Sequence, residues 1–414
     1  MDATPARTTC LIAGGGPAGM MLGLLLARGG VEVTVMEKHA DFLRDFRGDT
    51  VHASTLRLLD DLGLGVEFDR LVHRNIDTVG MQVQGVRVDI DLRHLPGPHQ
   101  RIALVPQWDF LELLATAAEK EPTFRLMRST EVLEPLWHGG AVAGVRYRGP
   151  DGVDAEMRAD LTVACDGRGS TLRAALTASN GLQLKSFGAP MDVWWFRLSR
   201  ADDDPPGLEG VLGAGHALIV IDRGDYYQCA FIIPKGSDAD LRAQGIESLH
   251  RSIVTLVPYL ADRVGELTSF DDVKLLDVQL NRLSRWFVDG LLMIGDAAHA
   301  MSPVGGVGIN LAVADAVAAA RVLAAPLRAG QVDTRDLTRI QVRRWIPTAL
   351  IQGIQRVIHG RVIAAAVDGT GEAAPPRGLR LISRLPILPS VAGYLVAIGP
   401  LPERAPNWAR RPHE

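Results

Sequence analysis

At 414 residues the chain is long enough to bury a large core and to hold two domains or one elaborated domain. A hydrophobic fraction of 47% with a mean hydropathy of +0.10 fits a compact globular protein, and a net charge of −4 excludes the basic footprint of nucleic-acid binding. No uninterrupted apolar run approaches the ~20 residues that span a bilayer, so stable membrane insertion is not expected.

The opening MDATPARTTC leads straight into a strand and lacks the shape of a signal peptide. Three widely spaced cysteines, Cys10, Cys165 and Cys229, read as reduced core residues, which fits a cytoplasmic protein. The eleven histidines include no HExxH, and no Cys-x-x-Cys occurs, so no metal is expected.

Thr8 to Ala13 reads as a short apolar strand, followed at once by Gly14-Gly15-Gly16-Pro17-Ala18-Gly19. Met20 to Arg28 is then a helix, and Val31 to Met36 a second strand ending at Glu37-Lys38. This is a complete GxGxxG βαβ unit: Gly14 for the tight turn, Gly16 for close approach of a pyrophosphate, Gly19 for helix–strand packing. Glu37 stands 23 residues after Gly14, near the ~20-residue separation of a carboxylate that binds adenosine ribose hydroxyls. The unit predicts dinucleotide binding without separating NAD from FAD.

Arg44 to Gly63 carries Arg47 ahead of an amphipathic helix capped by Ser54 or Thr50, with Leu56, Leu59 and Leu62 as its buried stripe. Val79 to Leu92 alternates apolar and polar residues and predicts strands of another sheet. After the break at Pro96-Gly97-Pro98, Ala103 to Gln107 leads into a helix over 108–119. Thr130 to Tyr147 predicts a hairpin turning at Gly139-Gly140. Asp160 to Arg173 reads as strand, then Asp166-Gly167, Gly169, and a helix start at Ser170.

From Leu182 to Val278 the chain becomes β-rich, with a hairpin turn at Arg223-Gly224-Asp225 and a helix at Ile246 to Leu256. Aromatic residues concentrate here. Period-2 geometry sends neighbours such as Trp194 and Trp195 to opposite faces, so at most half can line a cavity; Trp194, Phe196 and Tyr227 are the pocket candidates. Leu291 to Ile294 is a buried strand that stops at Gly295-Asp296. A bend over Pro303 to Gly308 precedes an Ala-rich helix from Ile309 to Val322. Glycines at such a place end a strand and open a helix; Gly305, Gly306 and Gly308 also let the backbone and its free N–H groups approach a polar ligand. Beyond Arg321 the chain is helical to about Ala366 and closes with an amphipathic stretch near Leu381 to Ile398.

The run Gly-Asp-Ala-Ala-His then Pro-x-Gly-Gly-x-Gly-x-Asn resembles the flavin-ribityl loop of the para-hydroxybenzoate hydroxylase-type, group A flavin monooxygenases. All three fingerprints stand in that family's order. The resemblance implies that Asp296, after Gly295, bonds the ribityl chain of FAD, and that Pro303 lies beside the isoalloxazine where oxygen reacts. It places the backbone around Gly306, Gly308, Ile309 and Asn310 at the pyrimidine end of the ring. It sets Arg47 over the flavin, Gln107 beside the cofactor, and Asp166 in the handling of both FAD and NAD(P)H. An arginine or glutamine in a purely capping place is the alternative for the last two helices. No catalytic acid or base is identified.

The expected architecture is α/β: a Rossmann-like FAD-binding domain from residues 1–75, 100–180 and 279–335, an inserted mixed β-sheet substrate-binding domain from 76–99 and 181–278, and a C-terminal helical region over 336–414. The resemblance implies a monooxygenase with non-covalent FAD that uses NAD(P)H and molecular oxygen. Through a flavin C4a-hydroperoxide it would oxygenate an aromatic or polyketide-like small molecule. A reductase or oxidase of the same fold would share every motif.

Overall fold

The computed structural model describes residues 6–43, 50–83, 86–213, 215–364 and 387–412. Its organising layer is an eight-stranded sheet whose central parallel strands are Leu291–Met293, Asp154–Ala164, Ala6–Ala13, Val33–Met36 and Phe124–Met127, in that order. The crossover helix Pro17–Arg28 is buried on nearly all sides, because both faces of a parallel sheet must be covered. It packs against the long helix Gly308–Ala329, whose small alanines allow close approach, and against Gln107–Glu119.

Register decides where the motifs meet. Ala13 is level with Met36 and with Ala164, and Ala164 is level with Met293. Four strands therefore end on one line, and Gly14, Glu37, Cys165-Asp166 and Ile294-Gly295 follow directly beyond it. Ligands of open parallel sheets bind at such carboxyl ends. Distant stretches of sequence are brought to one edge by pairing alone.

A seven-stranded mixed sheet lies apart, in the order Lys274–Leu276, Met191–Ser199, Tyr226–Pro234, His216–Asp222, Leu208–Gly213, Thr78–Val83 and Val86–Asp91. The expected turn at Arg223 to Asp225 joins two of its strands, and the expected hairpin over Gly139-Gly140 joins two strands of the first sheet. A short antiparallel pair, Leu184–Ser186 with Asn281–Leu283, bridges toward the first sheet. Two helices, Thr334–Ile358 and Ile387–Ala397, complete the C-terminal part among the described residues.

Two sequence expectations are corrected. The helix Ala53–Asp61 is not capped by Ser54 or Thr50: its N-cap is His52, which makes no side-chain cap bond. Asn310 supplies the acceptor instead, its Oδ1 taking bonds from His52 N–H at 3.0 Å and from the Thr55 hydroxyl at 2.7 Å. A residue 258 positions away does the work of a local cap. Second, the stretch Val304–Ala329 is long and apolar enough, by length and composition, to cross a membrane, although Asp315 and Arg321 interrupt it. Two thirds of its apolar window (67%) is buried in the protein, as befits a core helix.

Candidate active site

The glycine loop shows which of its positions face protein and which face open space. Gly14 has φ +103°, and a Cβ there would stand 2.5 Å from the Cys165 carbonyl oxygen. A Cβ on Gly19 would stand 2.0 Å from the Gly14 carbonyl oxygen, so no side chain fits. At Gly16, the N-cap of Pro17–Arg28, a Cβ would meet nothing within 4 Å. Gly14 and Gly19 thus shape the turn, and Gly16 leaves room in front of a helix N-terminus that no side chain caps. Such an end has free N–H donors and a positive dipole pole, which suits a phosphate.

Glu37 closes this loop from the neighbouring strand. Its Oε2 accepts from Gly15 N–H at 2.9 Å, and Oε1 accepts from His39 N–H at 3.0 Å. The carboxylate is therefore anchored at the loop's edge before any ligand arrives, while Lys38 is exposed. Gly295, with φ +59°, packs within 3.3 Å of Ala18 and of Ala312, measured from where its own Cβ would be. The first and third fingerprints are in contact there.

Asp166 follows the strand Asp154–Ala164. Its Oδ2 accepts from Leu172 N–H at 3.3 Å, while its Oδ1 is buried without a partner, and burial raises its carboxyl above the usual carboxylate range. Beyond it Ser170 caps the helix Thr171–Asn180 by accepting from Arg173 N–H at 3.0 Å. Arg173 then donates from Nη1 to the carbonyls of Asp296 and Ala297, at 2.9 and 3.0 Å. The turn carrying Asp296 is thereby pinned through its backbone, and the carboxylate stays 31% exposed with Arg168 Nη2 at 3.8 Å. Arg173 was noted in the sequence only as part of a helix start.

The bend after Pro303 sits on the strand Thr50–Val51: Thr50 Oγ1 donates to the Gly306 carbonyl at 2.9 Å, and Asn310 Nδ2 donates to the Thr50 carbonyl at 3.2 Å. Gly305 and Gly306 have φ of +81° and +61°, which non-glycine residues rarely adopt. Gly308 opens the helix onto free space, followed by the half-buried Ile309. Gln107 is the first residue of Gln107–Glu119 and is half-buried. Arg47 lies outside the described residues.

Trp194, Phe196 and Tyr227 are corrected. All three lie on the outer face of the seven-stranded sheet, in a cluster with Leu249 and Ile253 of the helix Ile246–Leu256. Trp194 Nε1–H donates to Asp238 at 2.6 Å, and the Tyr227 hydroxyl donates to the Pro205 carbonyl at 2.6 Å. Their polar atoms are spent on the fold. The opposite, inner face carries Trp195, Ala230 and Ile232 against Ala53, Leu104 and Val304.

Two further constellations escaped the sequence reading. Asp315 is fully buried in Gly308–Ala329 and accepts from Gly295 N–H at 3.1 Å and from Arg344 Nε–H at 2.8 Å; His299 Nε2 lies 2.6 Å away. Burial alone would raise its carboxyl, but His299 and Arg344 hold it below the ordinary value. A lone acid in the run Ala-Val-Ala-Asp-Ala-Val was the available signal. Ser302, just before Pro303, is gripped from behind: Gln355 takes its N–H at 3.2 Å and donates to its carbonyl at 3.0 Å, and His359 Nε2 lies 2.8 Å from its hydroxyl. Among the described residues no group of three or more His, Cys, Asp or Glu side chains is placed to hold a metal.

Aligned strand ends, an open glycine at a helix N-terminus and an orphaned acid beside them define the class: an α/β oxidoreductase built around a dinucleotide cofactor. The FAD binding domain family matches residues 7–352. The chain is 34% identical over 393 residues to 6-methylpretetramide 4-monooxygenase of Streptomyces rimosus, covering 93% of this chain and 91% of that one. It is 29% identical over 243 residues, 57% of this chain and 58% of the other, to digeranylgeranylglycerophospholipid reductase 2 of Methanothermobacter thermautotrophicus. Among solved structures, the OxyS anhydrotetracycline hydroxylase of Streptomyces rimosus shares the fold with a TM-score of 0.73 at 23% identity, covering 97% of this chain and 77% of that one. The chain belongs to the FAD-dependent aromatic hydroxylase family: it is a monooxygenase with FAD as its cofactor and NAD(P)H as the family's co-substrate.

Proposed function

We propose that the chain oxygenates a polyketide-derived aromatic compound of the 6-methylpretetramide kind, with FAD held non-covalently. The observation that carries this reading is the 34% identity, which runs through both the nucleotide-binding sheet and the seven-stranded sheet. Residues 1–75, 100–180 and 279–335 form the FAD unit in this reading, 76–99 and 181–278 the substrate unit, and 336–414 the helical region behind them. Support comes from Thr78–Val83, which pairs in register with Leu208–Gly213.

The residues divide the work. Gly16, Pro17, Ala18 and the helix start receive the pyrophosphate; Glu37 offers its remaining lone pairs to ribose hydroxyls; Asp296, held by Arg173, accepts from the ribityl chain. Gly306, Gly308, Ile309 and Asn310 present backbone groups to the ring's polar end, with Pro303 beside it. FAD, when bound, supplies the redox and oxygen chemistry. The inner cluster around Trp195 and Val304 excludes water, so that reducing equivalents are not lost as peroxide. The buried cysteines fit a cytoplasmic setting.

Purified protein supplied with NADH or NADPH, 6-methylpretetramide and isotopically labelled oxygen should yield a product with one labelled oxygen atom. Hydrogen peroxide without labelled product would favour the oxidase reading, and a saturated product the reductase reading that the shorter match to the lipid reductase represents. Acid precipitation should release all flavin into the supernatant, as non-covalent binding requires. Asp296→Ala should weaken FAD by roughly ten- to a hundredfold, the loss of a charge-assisted bond.

A further inference from the structure

Buried polar atoms in folded proteins are nearly all paired, so those without partners mark places where something is missing. Three ring nitrogens are of this kind beside the inner face of the seven-stranded sheet: His52 Nε2, Trp195 Nε1 and His359 Nδ1. All three residues are buried, at 1%, 5% and 3% exposure. They border one apolar cluster. Trp195 belongs to it; so does Ala53, next to His52; Ile358 and Ile363, on either side of His359, pack into it together with Val304 of the Pro303 bend.

Hydrogen-bond bookkeeping assigns each nitrogen a role. His52 Nδ1 lies 2.7 Å from the carbonyl oxygen of Val396, which can only accept, so Nδ1 carries the ring's hydrogen and Nε2 is a bare acceptor. Val304 N–H donates to Ser302 Oγ at 3.3 Å. The Ser302 hydroxyl hydrogen then goes to His359 Nε2, 2.8 Å away, and the neutral imidazole keeps its own hydrogen on Nδ1, a donor. The indole Nε1–H of Trp195 can only donate. Burial pushes both imidazoles down, His52 to about 4, so both rings are neutral near pH 7. The chain therefore presents two donors and one acceptor with nothing to meet them.

His359 also opens a π-helical turn, His359–Ile363, after the helix Thr334–Ile358. Such widened turns are rare and recur at functional sites. Through Ser302 the same ring touches the residue before Pro303, so a ligand on Nδ1 would be one side chain away from the bend.

We infer that His359 Nδ1–H, Trp195 Nε1–H and His52 Nε2 read one substrate: a planar, oxygen-rich polycycle with two acceptor oxygens, keto or enolate, and one hydroxyl. This rests on the function proposed above and specifies its recognition. The two donors make carbonyl-type oxygens obligatory, and the apolar walls accept the ring faces. Hydrocarbon rings alone would leave all three nitrogens as unpaired as they are now.

The test compares FAD-loaded wild type with Trp195→Phe, His359→Gln and His52→Asn. Glutamine can keep a bond to Ser302 in place of Nε2, and asparagine can keep one to Val396 in place of Nδ1, while each removes the unpaired nitrogen. Two probes are used, 6-methylpretetramide and naphthalene, with Kd read from quenching of protein fluorescence. Each variant should weaken 6-methylpretetramide about three- to tenfold, the loss of one hydrogen bond, and leave naphthalene unchanged. Trp194→Phe, on the other face, should change neither. Wild-type affinity for 6-methylpretetramide in both Trp195→Phe and His359→Gln overturns the inference, as does equal weakening of naphthalene, which would mean lost packing. A wild type that binds 6-methylpretetramide without oxygenating it removes the proposed function and leaves the recognition standing; failure to bind it removes both.

Discussion

The two large sheets solve different problems. In the parallel sheet, the site sits where strands end, and the features that make it are backbone features: Gly14 and Gly19 packed against main chain, Gly16 facing space, N–H groups at a helix start. In the seven-stranded sheet, the distinction lies between faces. Trp194 and Trp195 are adjacent in sequence, yet one has its indole nitrogen bonded to Asp238 and the other has no partner. A cofactor common to many enzymes can be held by main chain, which any sequence supplies. A particular substrate needs side chains, and these differ from one face to the next.

The largest effect should come from breaking the seam behind both regions. Arg344 is 1% exposed and joins Asp315, hence Gly295, to the tail at Glu403. Arg344→Ala leaves Asp315 buried with one cation fewer, and should cost about 3–5 kcal/mol, read by urea unfolding. A loss below about 1 kcal/mol would show that the two regions do not depend on this seam.

Acid should separate the regions next. His52 is buried and neutral, with its pKa pushed from 6.5 to about 4 by burial. The unfolded chain takes up this proton at higher pH than the folded one, so stability is full above pH 6.5 and falls as pH drops toward 4. The difference of about 2.5 units corresponds to roughly 3 kcal/mol by pH 4. His52→Asn should flatten that part of the stability-against-pH curve; an unchanged slope would assign the loss elsewhere.

Gly16→Val isolates the cofactor edge. Since its Cβ meets no protein atom and its φ is an ordinary −73°, the FAD-free protein should melt within about 2 °C of wild type. FAD affinity should fall at least about a hundredfold, or ~2.7 kcal/mol, because the side chain takes the space of the pyrophosphate. Equal FAD affinity would move the pyrophosphate away from this loop. The smallest effect belongs to Trp194→Phe, which loses its bond to Asp238. A melting shift equivalent to about 1 kcal/mol is expected, with the KM for 6-methylpretetramide unaltered; a raised KM would return the outer face to the site.

What the sequence determined by itself was the nucleotide-binding chemistry. Glycine spacing, a carboxylate at a strand end and an Asp-Gly pair are local, since each reflects what one short stretch of backbone can do. The β-rich segment between them and its turn at Arg223 to Asp225 were legible for the same reason. Which face of that segment looks inward was not. Alternation says only that Trp194 and Trp195 oppose each other, and the choice belongs to the helix Ile246–Leu256, which packs over Trp194. Likewise no spacing announces that Asn310 would cap Ala53–Asp61, that Arg173 would pin Asp296, or that His359 would grip Ser302. These bonds join residues 57 to 258 positions apart. Only the packing of whole elements brings such partners within 3 Å, and hydrogen bonding acts at no longer range than that.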